Sequence, residues 1–142
     1  MATRTASARY EGLGPTGKGQ VSTQSGVLSN QPYDFTTRFG EAPGTNPEEL
    51  AAAAHAACFT MALSFALGQT GYKDGTLKTD AAVTIGKDGD GFRISRSALT
   101  LTAKIDGIDP AEFQRIASGA KAGCPISKLF NTEITLDARL EP

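Results

Sequence analysis

The chain has 142 residues, 39% of them hydrophobic and 20% charged, with a formal net charge of -1, a size and balance that suit one globular domain over residues 1–142. A near-neutral sequence without a long charged block offers neither an electrostatic nucleic-acid surface nor a polybasic membrane anchor, so a small molecule is the expected partner. The polar opening MATRTASARY has no signal-peptide pattern, which sets the expectation of a cytoplasmic protein. In that reducing compartment Cys58 and Cys124 point to free thiols or redox chemistry rather than to a structural staple.

Taken in order, Thr3 to Tyr10 reads as a short strand, and Gly12, Gly14, Pro15, Gly17 and Gly19 break the backbone after it. Val21 to Leu28 and Tyr33 to Phe39 read as two further strands, separated by the turn Ser29-Asn30-Gln31-Pro32. This N-terminal sheet has little apolar content and must lean on something else, another subunit being one candidate. Glu41 to Thr45 then feeds the long helix expected from Asn46 to Leu67. Asn46 can accept from the free amides of the first turn, Pro47 suits the first helical position, and Glu48 and Glu49 sit at the positive end of the helix dipole. Leu50, Ala54, Ala57, Met61 and Phe65 line one side of the helix, and Phe59, Leu63, Ala66 and Leu67 the other. Burial over most of its circumference is expected. Its length approaches that of a membrane span, but it is alanine-rich, holds His55, Thr60 and Ser64, and lacks aromatic or basic flanks. The expectation is a core helix and no membrane.

Gly68, Gly71 and Gly75 end this helix. Leu77 to Lys87 and Phe92 to Ile105, joined at Asp88-Gly89-Asp90-Gly91, form a hairpin with one wet face. Asp109-Pro110 opens a second helix that Gly123 stops. Pro125 starts a short third helix through Phe130, and Glu133 to Leu140 is a closing strand. The order β-β-β-α-β-β-α-α-β gives an α+β fold rather than a wound parallel sheet.

Cys58 lies in mid-helix, where the dipole helps its thiolate little and burial raises its pKa, so reactivity requires a cation. Arg38 is the nearest in sequence, with a planar fork able to hold both a sulfur and a carboxylate. Cys124, just before a proline at a helix start, has a separate claim to be the more acidic thiol. Each of these residues also has a plain structural reading: Cys58 as a small core residue, Cys124 as a loop residue, Arg38 as a water-facing strand residue and Glu48 as a first-turn acid. His55 lies three residues before Cys58, and a Cys2His metal set with Cys124 is conceivable. Zinc motifs, however, bring paired, closely spaced ligands, and a buried histidine satisfied by hydrogen bonds is the simpler expectation. No metal or cofactor is expected.

Phe35-Thr36-Thr37-Arg38-Phe39, then GTNPEEL at Gly44 to Leu50 running into AAAAHAACF at Ala51 to Phe59, then Gly123-Cys124-Pro125-Ile126-Ser127, resemble in this order the osmotically induced protein C family. They resemble it more closely than its sister family, the organic hydroperoxide resistance proteins. The similarity covers nearly the whole chain and departs at Tyr10, where the family often has a tryptophan. It implies antiparallel sheets around a long central apolar helix in an intertwined homodimer. It also implies a thiol peroxidase that reduces organic hydroperoxides to alcohols and protects against oxidative and osmotic stress. Matched residue by residue, Cys58 is the peroxidatic thiol, Cys124 the resolving one with which it forms a disulfide, and Arg38 and Glu48 their polar partners; a dihydrolipoyl dithiol is the implied reductant. Phe39, Phe59 and Met61, with Leu63, are available to line an apolar approach for substrate. The competing function is a dimer that binds a hydrophobic ligand between its long helices without turning it over.

Helix geometry adds one expectation. Glu48 and Cys58, ten residues apart on one straight helix, are separated by about 15 Å and turned about 80° from each other. If both serve one site, Glu48 and Arg38 reach Cys58 of the partner subunit.

Overall fold

In the computed structural model, which describes residues 1–142, the chain divides into two units, Met1–Leu50 and Ala51–Pro142. The first unit pairs β1 (Ala6–Glu11), β2 (Lys18–Thr23) and β3 (Gln31–Tyr33) as an antiparallel sheet in that order. The register runs from Ala6 opposite Thr23 to Glu11 opposite Lys18, and sets Gly19 opposite Tyr33. Gly19 is required there, because a Cβ would stand 2.6 Å from the Tyr33 ring. Tyr10 packs toward Tyr33 with centroids 6.1 Å apart, and its hydroxyl donates to the Gly14 carbonyl at 3.0 Å.

Two expected strands differ from what forms. The strand expected over Val21 to Leu28 starts earlier and stops at Thr23, where Thr23 and Leu28 close a turn through backbone and hydroxyl bonds (Thr23 N to Leu28 O 2.9 Å, Leu28 N to Thr23 Oγ1 3.1 Å). The strand expected over Tyr33 to Phe39 ends at Tyr33, and α1 (Phe35–Phe39) follows. Aromatic and β-branched residues favour a strand here, but Asp34 caps a helix. Its carboxylate accepts from the Thr36 and Thr37 amides at 2.8 and 3.0 Å, and Thr37 Oγ1 accepts from the Asp34 amide at 2.7 Å. That reciprocal cap satisfies first-turn donors that a strand would have to pair elsewhere.

The second unit holds most of α2 (Pro47–Gln69), followed by β4 (Thr76–Asp88), β5 (Gly91–Lys104), α3 (Pro110–Gly123), α4 (Pro125–Leu129) and β6 (Glu133–Leu140). These elements lie where the sequence places them. β4 and β5 form the expected hairpin, with Ala81 opposite Leu99 and Leu77 opposite Ala103. β6 departs from the expected antiparallel arrangement by pairing parallel to β5, Leu136 opposite Leu99. The physical reason is the connection: α3 and α4 return the chain to the end of the sheet where β5 began, so the last strand enters in the same direction.

On β5, Ser97, Leu99, Leu101 and Ala103 alternate onto one buried face, while Lys78, Asp80, Glu133, Asp137 and Arg139 of the flanking strands are exposed on the other. The core joins that buried face to Phe59, Leu63 and Leu67 of α2 and to Phe113, Ile116, Ala117 and Ala120 of α3. A 23-residue helix with mean hydropathy 1.7 over its most apolar stretch is long enough to cross a bilayer; here its Phe59, Leu63 and Leu67 side is packed as a core helix is. The other side, expected to be buried as well, is open within this chain, with Met61 61% and Phe65 66% exposed.

Candidate functional site

The chemistry-bearing residues form two clusters, one in each unit. In the first, α1 carries Arg38 and the opening turn of α2 carries Glu48. Asn46 starts α2 by accepting from the Glu49 amide at 2.7 Å, and its side-chain amide donates to the Thr37 carbonyl at 3.2 Å. Thr45 supports the same turn by donating to Glu49 at 2.9 Å. With both helix starts fixed, Arg38 Nη2 donates to Glu48 Oε1 at 2.6 Å and Nε contacts both carboxylate oxygens at 3.1 Å. Glu48 is 7% exposed, and a carboxylate so buried is tolerable because the guanidinium fork satisfies it. The Arg38 side chain remains 38% exposed, so part of the cation faces outward. It borders a hollow of about 410 Å3 lined by Tyr10, Tyr33, Phe35, Phe39 and Pro47, with the Phe35 and Phe39 rings 5.2 Å apart.

In the second unit Cys58 of α2 and Cys124 at the head of α4 are brought together. Cys58 is partly exposed and Cys124 fully buried, and both are free thiols. Burial raises the Cys58 thiol, and donating its proton toward Cys124 raises it further. Burial acts on Cys124 in the same sense, but the Cys58 thiol, the Ser127 amide and hydroxyl and the Ile126 amide all face its sulfur and outweigh that cost, so Cys124 lies below the ordinary thiol value. Of the two, Cys124 is the better stabilised as an anion and Cys58 is the thiol that solvent reaches.

Beside them His55 is fully buried. Its Nδ1 lies 2.6 Å from Ser97 Oγ, its Nε2 2.8 Å from Ser127 Oγ, and its ring meets Phe130 edge-on at 5.0 Å. Burial pushes the imidazole below its usual value, so it is neutral and its two nitrogens differ, one donating and one accepting. His55 is the hydrogen-bonded core histidine of the simpler expectation. Ser97 and Ser127 did not emerge from the sequence as site residues. A signal for each exists: Ser97 is the polar member of an otherwise apolar alternating face, and Ser127 follows Cys124 by three residues across a helix start.

The three residues expected to line a substrate approach fall in different surroundings. Phe39 borders the hollow beside Arg38 in the first unit. Phe59 is completely buried in the core of the second, as is Leu63. Met61 is exposed and, with Phe65, Leu67, Tyr72 and Leu77, lines a separate hollow of about 420 Å3.

A family model described as OsmC-like protein matches residues 40–139. The peroxiredoxin OsmC of Escherichia coli strain K12 is 51% identical over 134 residues, 94% of each chain. An organic hydroperoxide resistance protein of Xanthomonas axonopodis pv. citri is 38% identical over 96 residues, 66% of each chain. Among solved structures, the organic hydroperoxide resistance protein OhrB of Bacillus subtilis superposes with TM-score 0.69 at 27% identity, covering 99% of this chain and 98% of that one. An organic hydroperoxide resistance protein of Elizabethkingia anophelis does so with TM-score 0.74 at 28% identity and the same coverage. With the family model spanning most of the chain and a relative half identical along nearly all of it, the chain belongs to the OsmC-like protein family.

Proposed function

We propose that this chain is a cysteine-based peroxidase that reduces organic hydroperoxides to alcohols and serves in defence against peroxide stress. The observation that carries the reading is the thiol pair: a solvent-reachable Cys58 directly beside a buried Cys124 that is stabilised as an anion. The names of the relatives, peroxiredoxin and organic hydroperoxide resistance protein, support the same class.

In the first step a proton passes from Cys58 to Cys124, and the Cys58 thiolate attacks the terminal peroxide oxygen. The O–O bond breaks, the alkoxide takes the Cys124 proton to leave as alcohol, and Cys58 is left as a sulfenic acid beside a Cys124 thiolate. The Cys124 thiolate then attacks that sulfur; the S–S bond forms, the S–O bond breaks, and the departing hydroxide takes a proton from solvent to leave as water. A dithiol of the dihydrolipoyl type reopens the disulfide by exchange.

A cation beside Cys58 favours the first proton shift, and Arg38, braced by Glu48, is that cation in this reading. Because Glu48 and Cys58 stand about 15 Å apart along one helix, the site is composite and Arg38 serves Cys58 of the partner subunit. The open Met61 and Phe65 side of α2 supports such a homodimer, since a large apolar face of this kind gains about 25 cal/mol per Å2 when covered. The Phe39 ring beside Arg38 offers an apolar tail a contact that hydrogen peroxide cannot use. The test is turnover of an aryl or lipid hydroperoxide with dithiol, compared with hydrogen peroxide. The expected kcat/KM is at least tenfold higher for the organic substrate. Absence of turnover with either peroxide overturns the peroxidase and leaves a ligand-binding dimer, which has no use for the thiol pair.

A further inference from the structure

The peroxidase steps above leave one buried titratable group unused, His55. It sits where two spacings of three residues meet: His55 and Cys58 on α2, Cys124 and Ser127 at the start of α4. Thiol faces thiol, and imidazole faces hydroxyl at 2.8 Å. The Ser127 hydroxyl also faces the Cys124 sulfur, so a continuous polar path runs from Ser97 on β5 through His55 and Ser127 to Cys124. Resting on the peroxidase reading, we propose that His55 is a positioning residue for Cys124, fixing the Ser127 hydroxyl so that its proton points at the Cys124 sulfur when Cys124 attacks the oxidised Cys58.

Two arrangements of a neutral imidazole are available, and they have opposite consequences. When Ser97 donates to Nδ1, Nε2–H donates to Ser127 Oγ, and the Ser127 proton is free for Cys124. When Nδ1–H donates to Ser97 instead, Nε2 takes the Ser127 proton, and only an oxygen lone pair is left to face Cys124. The first arrangement stabilises the thiolate and the second stabilises the thiol. In the reduced protein Cys58 is itself a donor to Cys124, so the Ser127 hydroxyl is one contribution among several. Once Cys58 is a sulfenic acid that thiol donor no longer exists, and Ser127 becomes the side-chain hydroxyl that holds charge on Cys124. His55 therefore acts on disulfide formation and not on the attack on peroxide. The groups that bear on it are Cys58 from α2, Cys124 and Ser127 from α4, Ser97 from β5 and the uncharged Phe130 ring; of these only the two thiols titrate.

The variants separate positioning from packing. His55→Asn keeps a polar atom near the Nδ1 position but none near Nε2, whereas His55→Gln restores a donor near Nε2. In rapid mixing with an organic hydroperoxide, His55→Asn and Ser127→Ala are expected to form the Cys58 sulfenic acid normally and to convert it to disulfide about tenfold more slowly. His55→Gln recovers most of that loss, and the two slow variants combine without multiplying their effects. A normal rate of disulfide formation in His55→Asn, an equal loss in His55→Gln, or multiplying effects in the double variant each overturns the proposal. If His55→Asn fails to fold, Ser127→Ala carries the test alone and must slow the second step selectively. A second measurement needs no peroxide: in Cys58→Ser protein, titration of Cys124 by thiolate absorbance should move upward by about one unit in Ser127→Ala and in His55→Asn. An upward move there, together with no peroxide turnover by the unsubstituted protein, would sink the peroxidase reading and keep the positioning role; no move sinks the positioning role whatever the peroxidase does.

Discussion

Each of the two units is held together internally by its own means. In residues 51–142 apolar burial dominates: Phe113, Leu99 and Leu101 are essentially inaccessible, and the thiols and His55 lie within or against that core. Residues 1–50 contribute no apolar side chain to the buried core. Their buried side chains are Thr37, Thr45 and Glu48, held by caps and one bidentate ion pair. The contrast teaches that the first unit is specified by hydrogen-bond geometry and the second by packing, and the proposed chemistry draws one component from each. The thiols come from the dry unit, and the cation comes from the polar one.

The strongest way to break this division of labour is at the thiols. Cys58→Ser is expected to abolish turnover of an organic hydroperoxide with dithiol reductant, whereas Cys124→Ser should consume about one equivalent and stall as the sulfenic acid. Multi-turnover activity in Cys58→Ser would remove Cys58 from the chemistry.

Stability sharpens the comparison next. Phe113→Ala should lower the free energy of unfolding by about 3–5 kcal/mol, because it opens a cavity in a core that cannot collapse fully. Val27→Ala, at a residue 83% exposed in the first unit, should cost no more than about 0.5 kcal/mol. Chemical denaturation of both variants measures the ratio, and similar costs would mean that the first unit has a packed core after all.

Glu48 probes the polar unit. Its replacement by Gln leaves Arg38 without its carboxylate and is expected to reduce kcat/KM by about ten- to a hundredfold. If the site is composite, mixed dimers of a Cys58→Ser chain and a Glu48→Gln chain regain one intact site and exceed the average of the two parent homodimers. Mixed dimers that merely match the average would confine each site to one chain.

The smallest effect concerns Asp34. The Thr36 hydroxyl, then Lys18 and the Thr37 amide, hold its carboxyl well below the usual carboxylate range. A group whose folded pKa is depressed contributes stability above its unfolded value, about 3.9, and loses it as pH falls toward the folded pKa. Acidification should therefore release the α1 cap while the core of the second unit is still intact. The Thr36 and Thr37 amide resonances report it, and Asp34→Asn should show no such acid transition.

Much of this molecule was legible locally. Asn46-Pro47-Glu48-Glu49 begins α2, Asp88-Gly89-Asp90-Gly91 turns the hairpin, Asp109-Pro110 and Gly123 bound α3, and Pro125 opens α4. Each is a short-range signal whose donors and acceptors lie within a few residues, and so it survives whatever the rest of the chain does. The cap at Asp34 and Thr37 is equally local, but the strand propensity of Phe35, Thr36 and Phe39 obscured it.

What the sequence alone determined, then, is most of the elements, α1 excepted, and the candidate residues Arg38, Glu48, Cys58 and Cys124, because motif and spacing are written along the chain. The tertiary structure decided which side of α2 is buried, since both sides are apolar and only the sheet and α3 choose between them. It decided that β6 runs parallel to β5, which depends on where α3 and α4 return the chain. It also decided that His55 is bonded to Ser97 and Ser127, 42 and 72 residues away. Partners that distant carry no mutual signal in spacing; they meet because burial of the apolar faces around them leaves a neutral imidazole and two hydroxyls no water to bond, only one another.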